Sequence, residues 1–276
     1  MPPVARRPSS LRVPSDAARA AVAELFAAHG DRLYASAIRL CGRSEEAEDL
    51  VQETLLAALR GWDGFAGRSE PTTWLYAIAK HACFRRRRRR AGEPAHLESI
   101  GAESDLLPSP DEPLPDPDEL ADPARAAARG EATARVERGL AELPFAYRLP
   151  LVLVDIAELS IAETATVLGL KEATVKTRVH RARLRLRQAL AAGARARPLA
   201  ADHPRTVCLD LLRAKQEALD RGTPFPYSEA ALCDRCRSLL ATLDLGHESC
   251  RLLGRSSLPE RLRALLDAEL AGPRPA

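Results

Sequence analysis

The stretch from Ser160 to Leu190 constrains the fold more than any other part of the chain. Ser160 followed three residues later by Glu163 is a capping box, so a helix is expected to start there. Ile161, Ala165 and Leu168 then repeat at helical spacing, and Gly169 supplies the tight turn that ends the segment. A second, longer helix follows, with Val175, Val179, Ala182, Leu186 and Leu190 on one face. The opposite face carries Thr174, Thr177, Arg178, Arg181 and Arg185, flanked by Lys176, His180, Arg183 and Arg187. Two helices joined by a short glycine turn, the second apolar on one side and basic on the other, make a helix-turn-helix pattern. Guanidinium and ammonium groups neutralise phosphates and can fork onto guanine edges, so the face suits DNA. A helical hairpin with a solvated charged face has the same periodicity. No acid stands between Lys176 and Arg187, whereas a merely solvated face mixes its charges.

Upstream, residues to about Pro14 read as disordered, and a helical pattern runs from Ala18 to Cys41. Ser44 opens the next helix, with Glu45 and Glu46 where the helix dipole favours anions. Its stripe of Ala47, Leu50, Val51, Thr54, Leu55, Ala58 and Leu59 leaves Asp49, Gln52, Glu53 and Leu56 on the other side. Pro71 fits the start of a third helix, which turns Trp74, Leu75, Ile78 and Ala82 inward and ends in the run Arg85 to Arg90. Six arginines are a solvated tail in many chains; here they continue a helix with aromatics upstream, which also suits single-stranded DNA. Between Leu97 and Ala124 there is no Lys or Arg, and Pro108, Pro110, Pro113, Pro115 and Pro117 forbid a continuous helix, so an extended acidic linker is expected. Glu131 to Leu143 is helical again, and Pro150 is expected to kink or restart the segment that follows.

The string Thr174-Val175-Lys176-Thr177-Arg178-Val179-His180-Arg181, with Ser160 to Leu168 before it, resembles region 4 of bacterial extracytoplasmic-function (ECF) sigma factors. Ala47-Glu48-Asp49-Leu50-Val51-Gln52-Glu53-Thr54 and the Trp-Leu-x-x-Ile-Ala pattern at Trp74 resemble region 2 of the same family. The resemblance covers about residues 18–92 and 131–192, in the family's order. It implies an all-α, non-enzymatic transcription initiation factor that brings core RNA polymerase to promoters. By that resemblance Asp49, Gln52, Glu53 and Leu56 meet the polymerase clamp helices. Thr174, Lys176, Thr177, Arg178, Arg181 and Arg185 meet the upstream promoter element. Trp74, Lys80, His81 and Arg86 meet the minus-ten element. Position 81, commonly Asn in the family, is His81, and an acid usual near the basic end is replaced at Arg85, so base preference does not carry over. Comparable linkers pass through polymerase channels. The implied partners are core polymerase (clamp helices and upstream-face subunits), promoter DNA and, as a further candidate, an anti-sigma factor.

The implied organisation is a disordered 1–17, region 2 at 18–92, an acidic linker at 93–130, region 4 at 131–195 and a cysteine-rich regulatory domain at 200–271. Four of the six cysteines stand in the last quarter: Cys208, Cys233, Cys236 and Cys250, with His247 nearby. A Cys-x-x-Cys pair points to metal or redox chemistry. Cys233 and Cys236 fall in an expected helix at Ser228 to Leu243, and Cys208 opens an amphipathic helix ending near Gly222, so three thiols can meet across a hairpin. The pair loosely resembles the zinc-binding anti-sigma fold, with Glu229 where that fold has His; Cys250, His247 or His203 would have to complete the site. One zinc, copper or cadmium ion suits soft thiolates; four cysteines packed as small apolar residues is the alternative. Ser257 to Glu260 is expected to cap a last helix whose Leu262, Leu265, Leu266 and Leu270 pack onto the tail domain.

With 46% hydrophobic and 4% aromatic residues and a net charge of +3, DNA affinity has to come from local patches. No apolar run approaches a membrane span, and Arg6 and Arg7 precede no apolar stretch, so a cytoplasmic protein is expected. A stand-alone helix-turn-helix regulator with a metal- or redox-sensing tail is the rival reading; it has no use for the Asp49-Gln52-Glu53 face.

Overall fold

The computed structural model describes residues 14–89, 100–109, 112–117, 126–192, 196–200 and 202–272; the side chains of 88, 89 and 126–129 also fall outside the description. The fold is all-α. The expected disorder before Pro14 lies outside the described residues.

Helix α1 (Asp16–Cys41) starts two residues before the apolar pattern does, because the Ser15 hydroxyl accepts the Ala18 amide, and it stops at Gly42 in the left-handed conformation. α2 (Ser44–Gly61) and α3 (Pro71–Arg89) follow the expected stripe and proline. Their inner faces close around Leu33, Leu50, Leu55, Leu75 and Tyr76. Between them Trp62, Phe65 and Trp74 form an aromatic cluster with centroids 5.2–5.6 Å apart.

α4 (Ala126–Glu142) leads to α5 (Phe145–Leu151), which contains Pro150. A proline cannot donate its own hydrogen bond, and the chain widens into a π turn at Val152–Ile156. Glu158 then takes a left-handed φ of 60°, costly for a side chain, and it is held from both sides by Arg32 (2.7 Å) and Arg251 (3.3 Å). α6 (Ile161–Leu168) has the capping box in full: the Glu163 amide donates to the Ser160 hydroxyl and the Ser160 amide donates to the Glu163 carboxylate. Gly169 ends it at φ 68°, and α7 (Glu172–Ala191) begins.

The two halves do not stand apart. Leu149, Leu153, Leu159 and Val167 of the second half belong to the same core as α1–α3. Lys80 on α3 donates to the Val167 carbonyl at 2.6 Å, and Phe84 and Arg87 near the end of α3 pack on the Phe145 ring of α5.

The acidic linker is no free tether where it is described. Residues 103–106 form a helical turn, Leu106, Leu107 and Leu114 are buried, and β1 (Leu114–Pro115) pairs antiparallel with β2 (Ala196–Arg197). The leucines among the prolines supply apolar anchors that charge patterning hid.

The tail helices are α8 (Arg205–Arg221), α9 (Asp234–Leu253) and α10 (Glu260–Ala271). α9 starts at Asp234, with Cys233 as its cap, and runs ten residues past the expected end, so Cys250 and Leu253 join the core of α4, α5 and α7. α10 corrects the expectation for the last leucines: Leu258, Leu262 and Leu266 pack into the core of α1–α3, with Leu270 against its edge, while Leu265 is exposed. Its cap residue is Pro259 and no side chain caps it. Leu258 sits over Gly30 on α1, where a methyl group would lie 3.1 Å from its side chain.

Candidate promoter and polymerase interfaces

α7 is amphipathic as its sequence requires, yet its basic side splits in two. Arg185 and Thr177 are exposed, and Thr174, Lys176, Arg178 and Arg181 are half-buried. His180, Arg183 and Arg187 are buried. The periodicity put all of these on or beside one open face; the structure covers a third of it.

Arg183 makes the deepest contact. Its Nε and one terminal nitrogen donate to both Asp155 oxygens, at 3.0 and 2.7 Å, and its other nitrogen donates to Asp220 of α8 at 2.6 Å. The second Asp220 oxygen meets His180 Nε2 at 2.8 Å, and His180 Nδ1 lies 3.7 Å from Glu103 of the linker. Lys176 reaches Glu217 of α8 at 2.9 Å. Burial alone would raise the Asp155 carboxyl, but Arg183 and His247 overcome it and hold the acid well below its usual range. Burial likewise disfavours charged His180, and the Asp220 and Glu103 carboxylates reverse this, so the imidazole binds its proton more tightly than usual. Arg187 is buried with none of its three nitrogens hydrogen-bonded among the described residues.

The α2 face expected at the polymerase is also engaged by its own chain, but at the surface. Arg85 pairs with Glu53, and Arg86 reaches Asp49 and Glu53 at 3.3 Å each. Gln52 and Leu56 are half-buried beside them. Arg86, expected at the minus-ten element, thus stands on the residues expected at the polymerase. Lys80 is turned to α6, His81 is exposed, and Trp74 is held in the aromatic cluster. Spacing along one helix holds no information about these cross-helix pairs, which is why sequence reasoning missed them. The signal that existed was opposite charge: acids only on α2's outer face, arginines only at α3's end.

The cysteines divide into two places. Cys208 Sγ and Cys236 Sγ lie 3.4 Å apart, with Cys233 beside them in a small cluster under Leu211. Burial opposes ionisation of Cys233, yet the backbone amides of Cys236 and Arg235 at the start of α9, and of Asp202 ahead of α8, hold its thiol below the usual value. Burial and the neighbouring Cys208 and Cys233 push Cys236 the other way. A pocket of about 140 Å³ opens beside Cys208 and Cys236, with His203 in its wall. Cys250 and His247 do not belong to this place. They lie 14 and 11 residues beyond Cys236 on one continuous helix, about 21 and 16 Å along its axis. Cys250 is buried near Asp155 and Arg39, and His247 lies 3.4 Å from Asp155. Among the described residues no set of three His, Cys, Asp or Glu side chains stands ready-made around a metal position, so three converging thiols fit a soft ion only after deprotonating and turning toward it.

Two helical units, one ending in a helix-turn-helix and the other in a basic helix beside an aromatic cluster, define a DNA-directed factor of the sigma type. Residues 25–93 match the Sigma-70 region 2 model and residues 133–186 the Sigma-70 region 4 model. The ECF RNA polymerase sigma factor SigM of Mycobacterium tuberculosis is 35% identical over 173 residues, covering 62% of this chain and 78% of that protein. SigW of Bacillus subtilis is 31% identical over 176 residues, covering 62% and 89%. The chain belongs to the ECF RNA polymerase sigma factors. The solved sigma factor RpoE of Bartonella quintana, in complex with the anti-sigma factor NepR, overlaps 62% of this chain and 97% of its own at 23% identity and a TM-score of 0.43. A likeness of that size says nothing of this chain's partners. No described helix is long and apolar enough to cross a membrane.

Proposed function

We propose that this sigma factor binds core polymerase through Asp49, Gln52, Glu53 and Leu56. It reads promoter DNA through α7 (Thr174, Lys176, Thr177, Arg178, Arg181, Arg185) and through Trp74, Lys80, His81 and Arg86 of α3. The observation that carries the reading is the outer face of α2, whose acids the core of that helix does not use. Full-length protein carrying Asp49→Lys and Glu53→Lys is expected to lose association with core polymerase in a pulldown while keeping its helical circular dichroism. Undiminished association would remove α2 from the interface.

The tail is the regulatory part of this reading. Cys208, Cys233 and Cys236 are the ligands for one zinc, copper or cadmium ion, with His203 from the pocket wall as the fourth donor. Cys250 and His247 are outside it. The supporting observation is the approach of the Cys208 and Cys236 sulfurs, together with a Cys233 thiol biased toward thiolate. Purified protein is expected to bind about one such ion. Serine at Cys233 and Cys236 together removes it, and serine at Cys250 leaves it in place. A stoichiometry of zero in the unaltered protein would leave these cysteines as packing.

A further inference from the structure

The tail does more than add a thiol cluster: two of its acids line one basic row of α7. Lys176, His180 and Arg183 follow one another at i, i+4 and i+7 along α7, so their side chains form one basic row. Glu217 and Asp220, one turn apart on α8, lie along that row at 2.9 Å from Lys176, 2.8 Å from His180 and 2.6 Å from Arg183. The linker adds Glu103 to His180. A row of carboxylates opposite a row of cations is the charge pattern a duplex presents to such a helix.

We propose that this structure is a self-closed state, in which α8 acts as an intramolecular phosphate mimic and competes with duplex DNA for α7. The proposal rests on α7 being the DNA-reading helix. Contacts elsewhere tie the tail and the two halves together. Arg205 and Arg235 of the tail bind the linker carbonyls of Ser104, Ser109 and Glu112. α10 seats Leu258 against Gly30, which ties the far end of the tail to α1. Lys80 and Val167 join the two DNA-directed units. DNA cannot take Lys176 and His180 while Glu217 and Asp220 hold them. A ligand that binds the open arrangement of α7 better than the closed one shifts the balance between them.

Zero-length carbodiimide coupling in the full-length protein tests the closure directly, because Lys176 and Glu217 touch. The 176–217 cross-linked peptide is expected in the free protein, and a 30-base-pair duplex of random sequence at low salt should suppress it. The Glu217→Gln, Asp220→Asn variant should bind that duplex about ten-fold tighter than the unaltered chain, since the open fraction no longer limits affinity. The coupling needs no variant, so it decides the matter even if the double substitution unfolds. Coupling that saturating duplex leaves untouched overturns the competition. A folded variant that binds duplex no tighter overturns the closure alone. A folded variant that binds no duplex at all removes α7 as the DNA reader, and the proposal falls with it.

Discussion

The acidic face of α2 and part of the basic face of α7 are both neutralised by their own chain, and they are neutralised in opposite ways. On α2 the partners Arg85 and Arg86 approach from the surface, and the Asp49 side chain remains 65% exposed. On α7 the partners Asp155 and Asp220 approach from inside, and the Arg183 side chain is 3% exposed. Exposed pairs are screened and exchange with water, so they guard a face without closing it. Buried, bidentate pairs are worth little against a well-packed apolar core, but removing one partner strands the other. The acids of α2 are therefore available at small cost, whereas the covered third of α7 opens only when a buried network is exchanged for another set of anions.

Arg183→Ala should break this contrast most visibly. It leaves Asp155 and Asp220 without their shared cation, and a loss of about 3–5 kcal/mol is expected in urea unfolding. A loss below about 1 kcal/mol would place the pair with the surface ones.

The pH dependence sharpens the same side of the comparison. His180 faces Asp220 from α8, Glu103 from the linker and Arg183 from its own helix. Its folded pKa is raised above 6.5, so its contribution is whole below that value and is lost as pH rises through the folded pKa. Asp155, Asp220 and Glu103 are lowered below 3.8, 3.8 and 4.5, so theirs is whole above those values and is lost as pH falls through the folded pKa values. Thermal stability should therefore decline as the pH rises above 6.5 in the unaltered chain. His180→Gln should flatten that limb. An unchanged slope would show that His180 is not the titrating group.

The smallest effect belongs to α2. Arg85→Ala should cost no more than about 1 kcal/mol of stability, because its pair with Glu53 is half exposed. A cost near that of Arg183→Ala would erase the distinction between the two faces.

Local chemistry fixed much of this molecule from the sequence. The Ser160–Glu163 box, the left-handed Gly169, Pro71 at a helix start and the stripe of α2 act within one or two turns. The all-α class and the sigma family were legible for that reason, and so was the meeting of Cys208 with Cys236. The tertiary structure decided which partner each face received. Glu103, Glu217 and Asp220 read in sequence as solvated acids, and His180 and Arg183 as flanks of a DNA face. Nothing in their spacing says that they meet. The same holds for α10, whose leucines specify a buried side but not the core that buries it, and for Cys250, which the length of α9 carries away from the other thiols. Periodicity and capping are set by neighbours along the chain, whereas pairing between faces is set by contacts between separate elements, from Asp155 on Arg183 to Leu258 on Gly30.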